Sequence, residues 1–427
     1  MSNVFRTEVR KLTAQVVMRV LALVVLVGPF LFGAVLALQS GVPADSLLGV
    51  WVHSSGFAVA FVVLTFAGTW GFPVIAGVVA GDLFASEDRY GTWKTILTRQ
   101  ATRHEVFAGK VLAAGAFAAG LLVLAALSSL AAGLIFTGGQ AMVGLSGTLI
   151  SSGASLGLLL IAWLVSLLPL LAFTSLGVLF SVASRNGIMG VLGPVLVALL
   201  MQLLALVGKG SIVHVLLVGS AFTDWHGLLV SHRFFGPLIE GSLVSVGWIA
   251  VSLGAAWLIL RRRDFAGAPV ARRQTWVAAA RVVVIGAALV ALLGAASNWG
   301  PVPITARKVQ ASFTPTFTNL TLLQQRLLGR NAPPGTKLNI LPSCRRRGTT
   351  SQGPGGDWTC QLDVLIPQPG ANPFNPTVVT YDMSVTSDGC YKAEAPPSFI
   401  GQQMMRDAAG KQVINPLFTV YGCFDTT

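Results

Sequence analysis

Long apolar runs alternate with short polar segments along the first 300 residues of the chain. Each run is about 20 residues long, the length that an α-helix needs to cross a hydrocarbon core of roughly 30 Å. This pattern predicts a polytopic α-helical membrane protein with seven spans. The predicted spans are about residues 15–38, 56–80, 111–136, 155–182, 187–207, 242–260 and 276–297.

The end of the chain has a different pattern. Residues 298–427 are rich in Pro, Gly, Thr and Asn, and they follow the predicted linker and seventh span at 263–297. Apolar and polar residues alternate over Gln361–Ile366 and Thr377–Val385, which predicts strands. With a helix expected at Thr321–Leu328, the region is predicted to form a small α+β or mostly β domain in water.

Composition agrees with a membrane protein. Only 11% of the residues are charged and 53% are hydrophobic, whereas soluble proteins have about 25% charged residues. The net charge of +13 could indicate a nucleic-acid partner, but the basic residues are not interleaved with aromatic ones as in nucleic-acid grooves. Cytoplasmic loops of membrane proteins gather Lys and Arg, so we expect a bilayer and no nucleic acid.

The distribution of basic residues predicts the orientation. If the N-terminus is cytoplasmic, the cytoplasmic segments hold 16 Lys and Arg residues and the outer loops between spans hold two. This asymmetry is a strong positive-inside signal. It places the C-terminal domain outside the cell, and the Ala/Gly/Val/Arg-rich composition suggests the inner (plasma) membrane of a bacterium.

All four cysteines lie in the C-terminal part of the chain. An even number of cysteines in one domain indicates disulfides, which persist in extracytoplasmic compartments. Three pairings are possible, and proximity along the chain favours Cys344–Cys360 with Cys390–Cys423. No CxxC pair or Cys/His cluster points to a metal site.

Two polar segments fit a membrane interface. Residues 1–14 alternate apolar and basic side chains as in a helix that lies along the inner surface of the bilayer. Residues 208–240 are too polar and too broken to span, so they are expected to re-enter the outer leaflet as one or two short helices. The outer-loop histidines are interpreted as solvated polar residues: His53, His214, His226 and His232.

Several kinds of chemistry are missing from the sequence. It has no phosphate-binding Gly-x4-Gly-Lys-Ser/Thr loop, and His104-Glu105 lacks the second histidine of a zinc-protease motif. No catalytic residue is predicted, which disfavours a membrane-embedded enzyme. No acidic residue lies in the middle of a predicted span, so a proton-driven pump is also disfavoured. Energy for transport would have to enter through a cytoplasmic loop.

The cytoplasmic segment 82–110 is the one with the most specific pattern. Gly91 is expected to break the chain before a short helix at Thr92–Leu97. Thr102 and Glu105 have the spacing of a capping box at the start of the next helix. An ordinary charged hairpin between two spans is the alternative interpretation.

This segment resembles the signature of ABC transporter permeases of the ABC-2 export type. The resemblance lies in the run Glu87-x-x-x-Gly91-Thr92-Trp93-Lys94-Thr95-Ile96-Leu97-Thr98-Arg99, followed by Thr102-Arg103 and Gly109-Lys110. Gln100 replaces a proline that is common in the family, and Thr102 replaces a common serine. The resemblance covers about residues 1–262 and implies a six-span bundle (15–262) with an N-terminal elbow helix; the seventh span and outer domain depart from it.

The resemblance implies that segment 82–110 docks on a separate ABC ATPase subunit, which would hold ATP and Mg²⁺, whereas this chain binds no cofactor directly. It also implies pairing with a second permease copy or homologue. Apolar walls would suit an amphipathic or lipid-like cargo (a drug, antibiotic or lipid), as in multidrug efflux. The residues implied in coupling are Glu87, Arg89, Gly91, Thr92, Trp93, Lys94, Leu97, Thr98, Arg99, Arg103 and Lys110.

The sequence also allows a function from a different class. The chain could be a membrane-anchored sensor or an envelope-assembly scaffold that acts through its outer domain. Seven spans are more than an anchor needs, which disfavours this alternative.

Overall fold

The computed structural model of the protein describes nine segments of the chain. They are residues 2–39, 47–98, 102–207, 217–263, 304–333, 335–347, 356–365, 377–386 and 389–425. The predicted seventh span at 276–297, linker residues 264–275 and Arg99 lie outside the described residues.

A helical bundle forms the first part of the structure. Its helices are α1 (Ser2–Ala14), α2 (Val16–Leu38), α3 (Gly56–Phe66), α4 (Phe72–Gly81), α5 (Ala85–Tyr90), α6 (Trp93–Thr98), α7 (Arg103–Phe136), α8 (Ser152–Val165), α9 (Leu167–Ser184), α10 (Gly187–Val207) and α11 (Gly236–Arg261). A π-helical turn, Ala67–Gly71, joins α3 to α4. A two-stranded hairpin, β1 (Met142–Val143) with β2 (Leu149–Ile150), joins α7 to α8.

Five helical stretches in the described part of the chain are long and apolar enough to cross a membrane. They are Val16–Leu38, Gly56–Tyr90, Arg103–Phe136, Ser152–Ser184 and Gly236–Arg261. Each overlaps a predicted span, so the sequence placed these five in the right order. The fifth predicted span, 187–207, is the apolar helix α10.

Glycine lets several of these helices approach closely. A Cβ on Gly56 would lie 2.3 Å from the carbonyl oxygen of Gly133, and one on Gly190 would lie 2.0 Å from that of Gly81. Close approach through small residues is how helices associate in a bilayer, where apolar burial gives no advantage over lipid. The bundle is thus held by backbone contact between α3 and α7 and between α4 and α10.

The two ends of the bundle differ in character. Helix α7 has 34 residues and separates them by about 50 Å at 1.5 Å per residue. The end with α1, α5, α6 and the start of α7 is called here the basic end. The opposite end meets the C-terminal domain and is called the sheet end.

The C-terminal domain packs one helix against an antiparallel sheet. The helix is α12 (Ala306–Leu327), and a short α13 (Pro397–Ile400) follows later. The sheet has the order β3-β4-β5-β6-β9, while β7 and β8 form a separate hairpin. These strands are β3 (Asn339–Arg346), β4 (Gly356–Leu365), β5 (Thr377–Val385), β6 (Cys390–Glu394), β7 (Met404–Arg406), β8 (Gln412–Ile414) and β9 (Thr419–Cys423).

Aromatic side chains form the core of this domain. Phe313 of α12 lies 5.2 Å from the ring of Tyr381 and 5.9 Å from that of Tyr391. The Tyr381 hydroxyl donates to the Leu417 carbonyl at 2.8 Å, and burial raises the pKa of Tyr391 to about 12. The helix and the sheet therefore share one sealed core.

Both predicted disulfides are confirmed, Cys344–Cys360 and Cys390–Cys423. Each joins residues that are direct partners on neighbouring antiparallel strands, β3 with β4 and β6 with β9. The two bridges therefore fasten the two outer strand pairs of the sheet.

The predicted helix at Thr321–Leu328 was too short, because α12 begins at Ala306. Thr305 caps it through its side chain, which accepts from the main-chain N–H of Lys308. Val309, Phe313 and Phe317 are buried at intervals of four residues, which is helical spacing. The strand prediction at 377–385 was right, and that at 361–366 found only the second half of β4.

The C-terminal domain rests on the loop between β1 and β2. The side-chain amide of Asn319 donates to the Ser146 carbonyl at 2.8 Å. A Cβ on Gly147, which has φ +70°, would lie 2.9 Å from Cγ of Leu320. The domain is therefore seated directly on the sheet end of the bundle.

The outer segment contains short helical turns, as predicted, but the start of α11 and the burial of His226 differ from the sequence prediction. Within its described part, the predicted re-entrant segment at 208–240 forms 3₁₀ turns at Ser220–Phe222 and Asp224–Leu229, and α11 already begins at Gly236. His226 is buried, 6% exposed, with its ring 4.3 Å from that of Trp225, so the interpretation as a solvated residue was wrong for it. His53 and His232 are exposed, as predicted.

Candidate functional site

Residues 82–110, which contain α5, α6 and the start of α7, are called here the hairpin. Hydrogen bonds and one glycine set the boundaries of its helices. Ser181 of α9 fixes the beginning of the hairpin, because its Oγ accepts hydrogen bonds from the main-chain N–H groups of Phe84 and Ala85 at 3.0 and 3.1 Å. Gly91 ends α5 in the left-handed conformation, φ +64°, which favours glycine. The predicted capping box is present at the start of α7, where Thr102 and Glu105 exchange hydrogen bonds.

Glu87 lies at the centre of this hairpin and is only 5% exposed. Its Oε1 accepts from Lys11 Nζ at 2.6 Å and from Lys110 Nζ at 2.9 Å, while Oε2 accepts from the Thr92 hydroxyl. One carboxylate thus joins α1, α5, the turn before α6, and α7. A small relative rotation of any of these elements would strain its hydrogen bonds.

Lys110 is the buried partner in this cluster, with none of its side chain exposed. Its ammonium donates to Glu8 Oε1 at 2.9 Å, to Glu87 Oε1 and to the Leu83 carbonyl at 3.1 Å. These three acceptors use all three donors of an ammonium group. Lys110, Glu8, Glu87 and Lys11 are called here the anchor cluster.

Lys11 lies at the rim of the anchor cluster and is partly exposed. Burial lowers its pKa, but its hydrogen bond to Glu87 and the charge of Glu8 outweigh burial, so the net shift is upward. The ammonium therefore stays charged at neutral pH, and the cluster carries two cations against two carboxylates.

A second network joins the hairpin to the end of α11. Asp88 Oδ1 accepts from Trp93 Nε1 at 3.0 Å and from the Arg263 guanidinium. The same guanidinium lies over the Trp93 ring, 5.9 Å from its centroid. The start of α6 is therefore fixed to the residues that follow α11.

Arg103 completes the connection to α11. Its Nη1 donates to the carbonyls of Arg261 and Arg263, both at 2.9 Å. A cation at the C-terminal end of a helix satisfies carbonyls that have no partner inside the helix. Arg103 thus ties the N-terminus of α7 to the C-terminus of α11.

Aromatic rings fill the space between the two networks. Phe84 stacks near Trp93 at 6.3 Å and contacts Phe107 at 5.8 Å, and Phe107 lies 5.4 Å from Trp257. The ammonium of Lys110 lies 5.7 Å from the Phe84 ring centroid. Such packing leaves the hairpin little freedom to move independently of α7 and α11.

The predicted coupling residues therefore fall into three groups. Glu87, Trp93, Arg103 and Lys110 are engaged in contacts within the chain, with Gly91 and Thr92 in the turn between α5 and α6. Arg89 is exposed and pairs with Asp82 at 2.8 Å. The backbone of Lys94, Leu97 and Thr98 belongs to α6, and Arg99 lies outside the described residues.

Sequence reasoning missed four charged partners of Glu87, Trp93 and Lys110, namely Glu8, Lys11, Asp88 and Arg263. Glu8 is an acidic residue among the basic side chains of α1, which is the one local signal that could have pointed to a buried cation. The Asp88–Arg263 pair spans 175 positions of the chain and has no local signature.

The part of the chain that contains the hairpin matches a known family. Residues 4–192 match the model of the ABC-2 family transporter protein. This segment of the chain is an ABC-2 transporter domain. It comprises most of α1, all of the hairpin and the anchor cluster, and it ends in α10. The comparison with curated proteins found no match to the chain.

The chain is a multi-pass membrane protein, and residues 4–192, less than half of its length, match a family of ABC transporter membrane proteins. Arg263 and the C-terminal sheet domain lie beyond the matched residues. In the described residues no group of three or more His, Cys, Asp and Glu side chains could hold a metal ion.

Proposed function

We propose that the chain is the permease subunit of an ATP-driven exporter. It would move an amphipathic or lipid-like molecule, such as a drug, an antibiotic or a lipid, out of the cell. ATP and Mg²⁺ would bind the partner ATPase subunit, and this chain would bind neither. The observation that carries the proposal is the anchor cluster, because it fixes the hairpin to α1 and α7 through buried ion pairs.

In this proposal the ATPase subunit binds the hairpin and moves it. Helix α6 has only six residues, and it is braced on one side by Asp88, Trp93 and Arg263. A displacement of α6 would pass to α7 through Glu87 and Lys110, and to the end of α11 through the contact of Trp93 with Arg263. Two such bundles, from a second copy or a homologue, would rock between inward-facing and outward-facing states.

The proposed orientation places the basic end in the cytoplasm and the sheet end outside. The asymmetry of 16 to 2 in basic residues supports it, and so do the two disulfides of the sheet domain. All four native cysteines are paired, so an introduced cysteine can be labelled selectively.

This orientation has a direct test. Tyr90 is 71% exposed on the hairpin, and Leu341 is 59% exposed on the sheet domain. A membrane-impermeant maleimide should label Leu341→Cys in intact cells, and it should label Tyr90→Cys only after the membrane is opened. Labelling of Tyr90→Cys from outside would contradict the orientation.

An apolar groove supports a lipid-like cargo. It has a volume of about 720 Å³ and lies between α1, α7, α9 and α11. Phe5 lines its interfacial end, and Ala116, Leu171 and Leu253 line its walls. Apolar walls of this kind accept acyl chains or fused rings.

Transport itself is tested with the complex of permease and ATPase in vesicles. ATP should drive a fluorescent phospholipid analogue between leaflets, measured by its accessibility to dithionite. Glu87→Gln and Gly91→Ala should insert and bind the ATPase but lower the rate at least tenfold. Asp82→Asn is the matched control, because its carboxylate lies in an exposed ion pair on the same hairpin.

Two results would contradict the proposal. One is normal lipid movement by Glu87→Gln, and the other is movement by the purified chain without an ATPase subunit. Failure of the chain to bind any ABC ATPase would favour the alternative function, a membrane-anchored sensor or envelope scaffold acting through the sheet domain.

A further inference from the structure

A second cavity lies between the bundle and the sheet domain. Its volume is about 470 Å³, within the range of small-molecule sites. The bundle supplies Thr65, Thr69 and Gln202, and the sheet domain supplies Thr386 and Lys392. This cavity is called here the chamber.

The floor of the chamber is an interruption in the second span. Thr69 belongs to the π-helical turn Ala67–Gly71, and π turns within helices are frequent at functional sites. Thr69 lies 13 positions after the start of α3 at Gly56, or about 20 Å along the helix. The chamber therefore reaches from the sheet domain into the membrane part of the bundle.

Five hydroxyl groups that line the chamber share one property. The hydroxyls of Thr65, Thr69, Ser220 and Thr223 each donate to a main-chain carbonyl of their own helix or turn, at 2.7 to 3.0 Å. Thr386 does the same to Cys390 at 2.7 Å. A hydroxyl that has used its proton offers only lone pairs. These five oxygens therefore act as hydrogen-bond acceptors toward a molecule in the chamber.

The remaining lining combines apolar walls with a few other polar side chains, among them Gln202, His226 and Tyr421. Pro73, Phe173, Ala198 and Met201 form apolar walls. Lys392 is the charged residue among the described lining, and it pairs with Glu394 at 2.8 Å. The charge of Lys392 is thus partly compensated by a carboxylate beside the chamber.

We propose that the chamber binds a neutral amphipathic molecule whose polar head carries several hydroxyl groups, such as a polyol linked to an apolar body. The hydroxyls would donate to the Thr and Ser oxygens of the chamber, and the apolar body would lie against Phe173 and Met201. The proposal gives the exporter's cargo class and in that respect rests on the proposed function. The binding itself does not depend on ATP.

The test uses a photoreactive probe and the full-length chain. The probe is a monoacylglycerol with a diazirine in its acyl chain, and the matched probe has both hydroxyls capped as methyl ethers. After illumination, mass spectrometry should place the hydroxylated probe on peptides 217–229 and 384–392. The capped probe should label these peptides at least fivefold less, and equal labelling would overturn the proposal.

Two variants make the test specific. Gly219 lines the chamber, and a Cβ there would meet nothing within 4 Å, so Gly219→Phe should fill the space without disturbing the fold. It should abolish labelling of both peptides. Gly153→Phe is the matched control, because a Cβ on Gly153 of α8 also meets nothing, and Gly153 does not line the chamber.

Removal of a single acceptor gives a finer test. Thr69→Val keeps the shape of the side chain but removes its oxygen, so labelling by the hydroxylated probe should fall several-fold. Thr318→Val in α12 removes a hydroxyl with the same internal bond, to Thr314 at 2.9 Å, and should change nothing. Unchanged labelling in Thr69→Val would contradict the acceptor argument.

The two proposals can fail separately. If the hydroxylated probe binds in the chamber but ATP never moves lipid in the reconstituted complex, the exporter function is wrong and the binding site remains. If lipid moves but Gly219→Phe neither blocks labelling nor slows movement, the chamber proposal is wrong and the exporter remains.

Discussion

Lys110 is a full charge in the interior of the bundle, and the residues around it explain how this is possible. An ammonium group removed from water is costly unless its donors are satisfied and its charge is compensated. Lys110 has three acceptors, two of them carboxylates. Burial of the charged Lys110 ammonium is therefore favourable only while α1 and the hairpin are both in place.

Substitution of Lys110 should consequently cost more than the loss of one contact. Lys110→Met leaves Glu8 buried without its cation, so we expect a loss of about 3–5 kcal/mol in the free energy of unfolding. The double variant Lys110→Met/Glu8→Gln should recover part of this loss. Thermal unfolding of the purified protein in detergent measures both.

The control for this prediction is an exposed ion pair. Arg89→Gln removes the pair with Asp82, whose partners are both solvated, and it should leave the unfolding temperature unchanged. If Lys110→Met were as stable as Arg89→Gln, the anchor cluster would not hold the hairpin in place.

At the scale of elements, the hairpin was predictable because its boundaries are set locally. A glycine in the left-handed region and a Thr-x-x-Glu box are readable in a few residues, and both are present in the structure. The direction in which the hairpin packs was not predictable. It is set by Asp88, Arg103 and Arg263, whose contacts join positions more than 150 residues apart.

For helix α12 of the sheet domain, in contrast, the local sequence predicts the wrong conformation. Residues 306–320 carry several threonines and phenylalanines, which favour strands by propensity. The apolar face against Tyr381 and Tyr391 overrides that propensity and makes this stretch helical. Local preference is therefore a poor guide wherever a buried face decides the conformation.

The capping box predicts a measurable effect on a single helix. Thr102→Ala removes the side chain that accepts from the main-chain N–H of Glu105, which should cost about 1 kcal/mol. Hydrogen exchange of the amides in the first turn of α7 should become faster, while α9 stays protected.

Thr13→Ala is the comparison for this variant. The Thr13 hydroxyl donates to carbonyls within α1 and caps no N–H group. It should leave the exchange of α7 unchanged. Equal exchange in Thr102→Ala and the wild-type protein would show that the tertiary contacts of Arg103 alone hold the start of α7.

At the scale of the whole molecule, the chain joins two parts that are stabilised in different ways. The bundle is held by close backbone contacts and by the anchor cluster, whereas the sheet is held by one aromatic core and two disulfides. The sequence already separated these parts by composition. The contact of Asn319 and Leu320 with the loop at Ser146 and Gly147 could not be predicted, because neither segment has a local sequence signature for it.

Reduction of the disulfides should therefore loosen one part and spare the other. Each bridge contributes roughly 2–4 kcal/mol to a domain of this size. With tris(2-carboxyethyl)phosphine, amides of β3, β4, β6 and β9 should exchange much faster, while amides of α7 and α9 keep their protection. The bundle is the internal control within the same sample. An equal loss of protection in both parts would mean that the sheet domain is needed to hold the spans together, because its contacts at Ser146 and Gly147 would then be stabilising the helices beneath them.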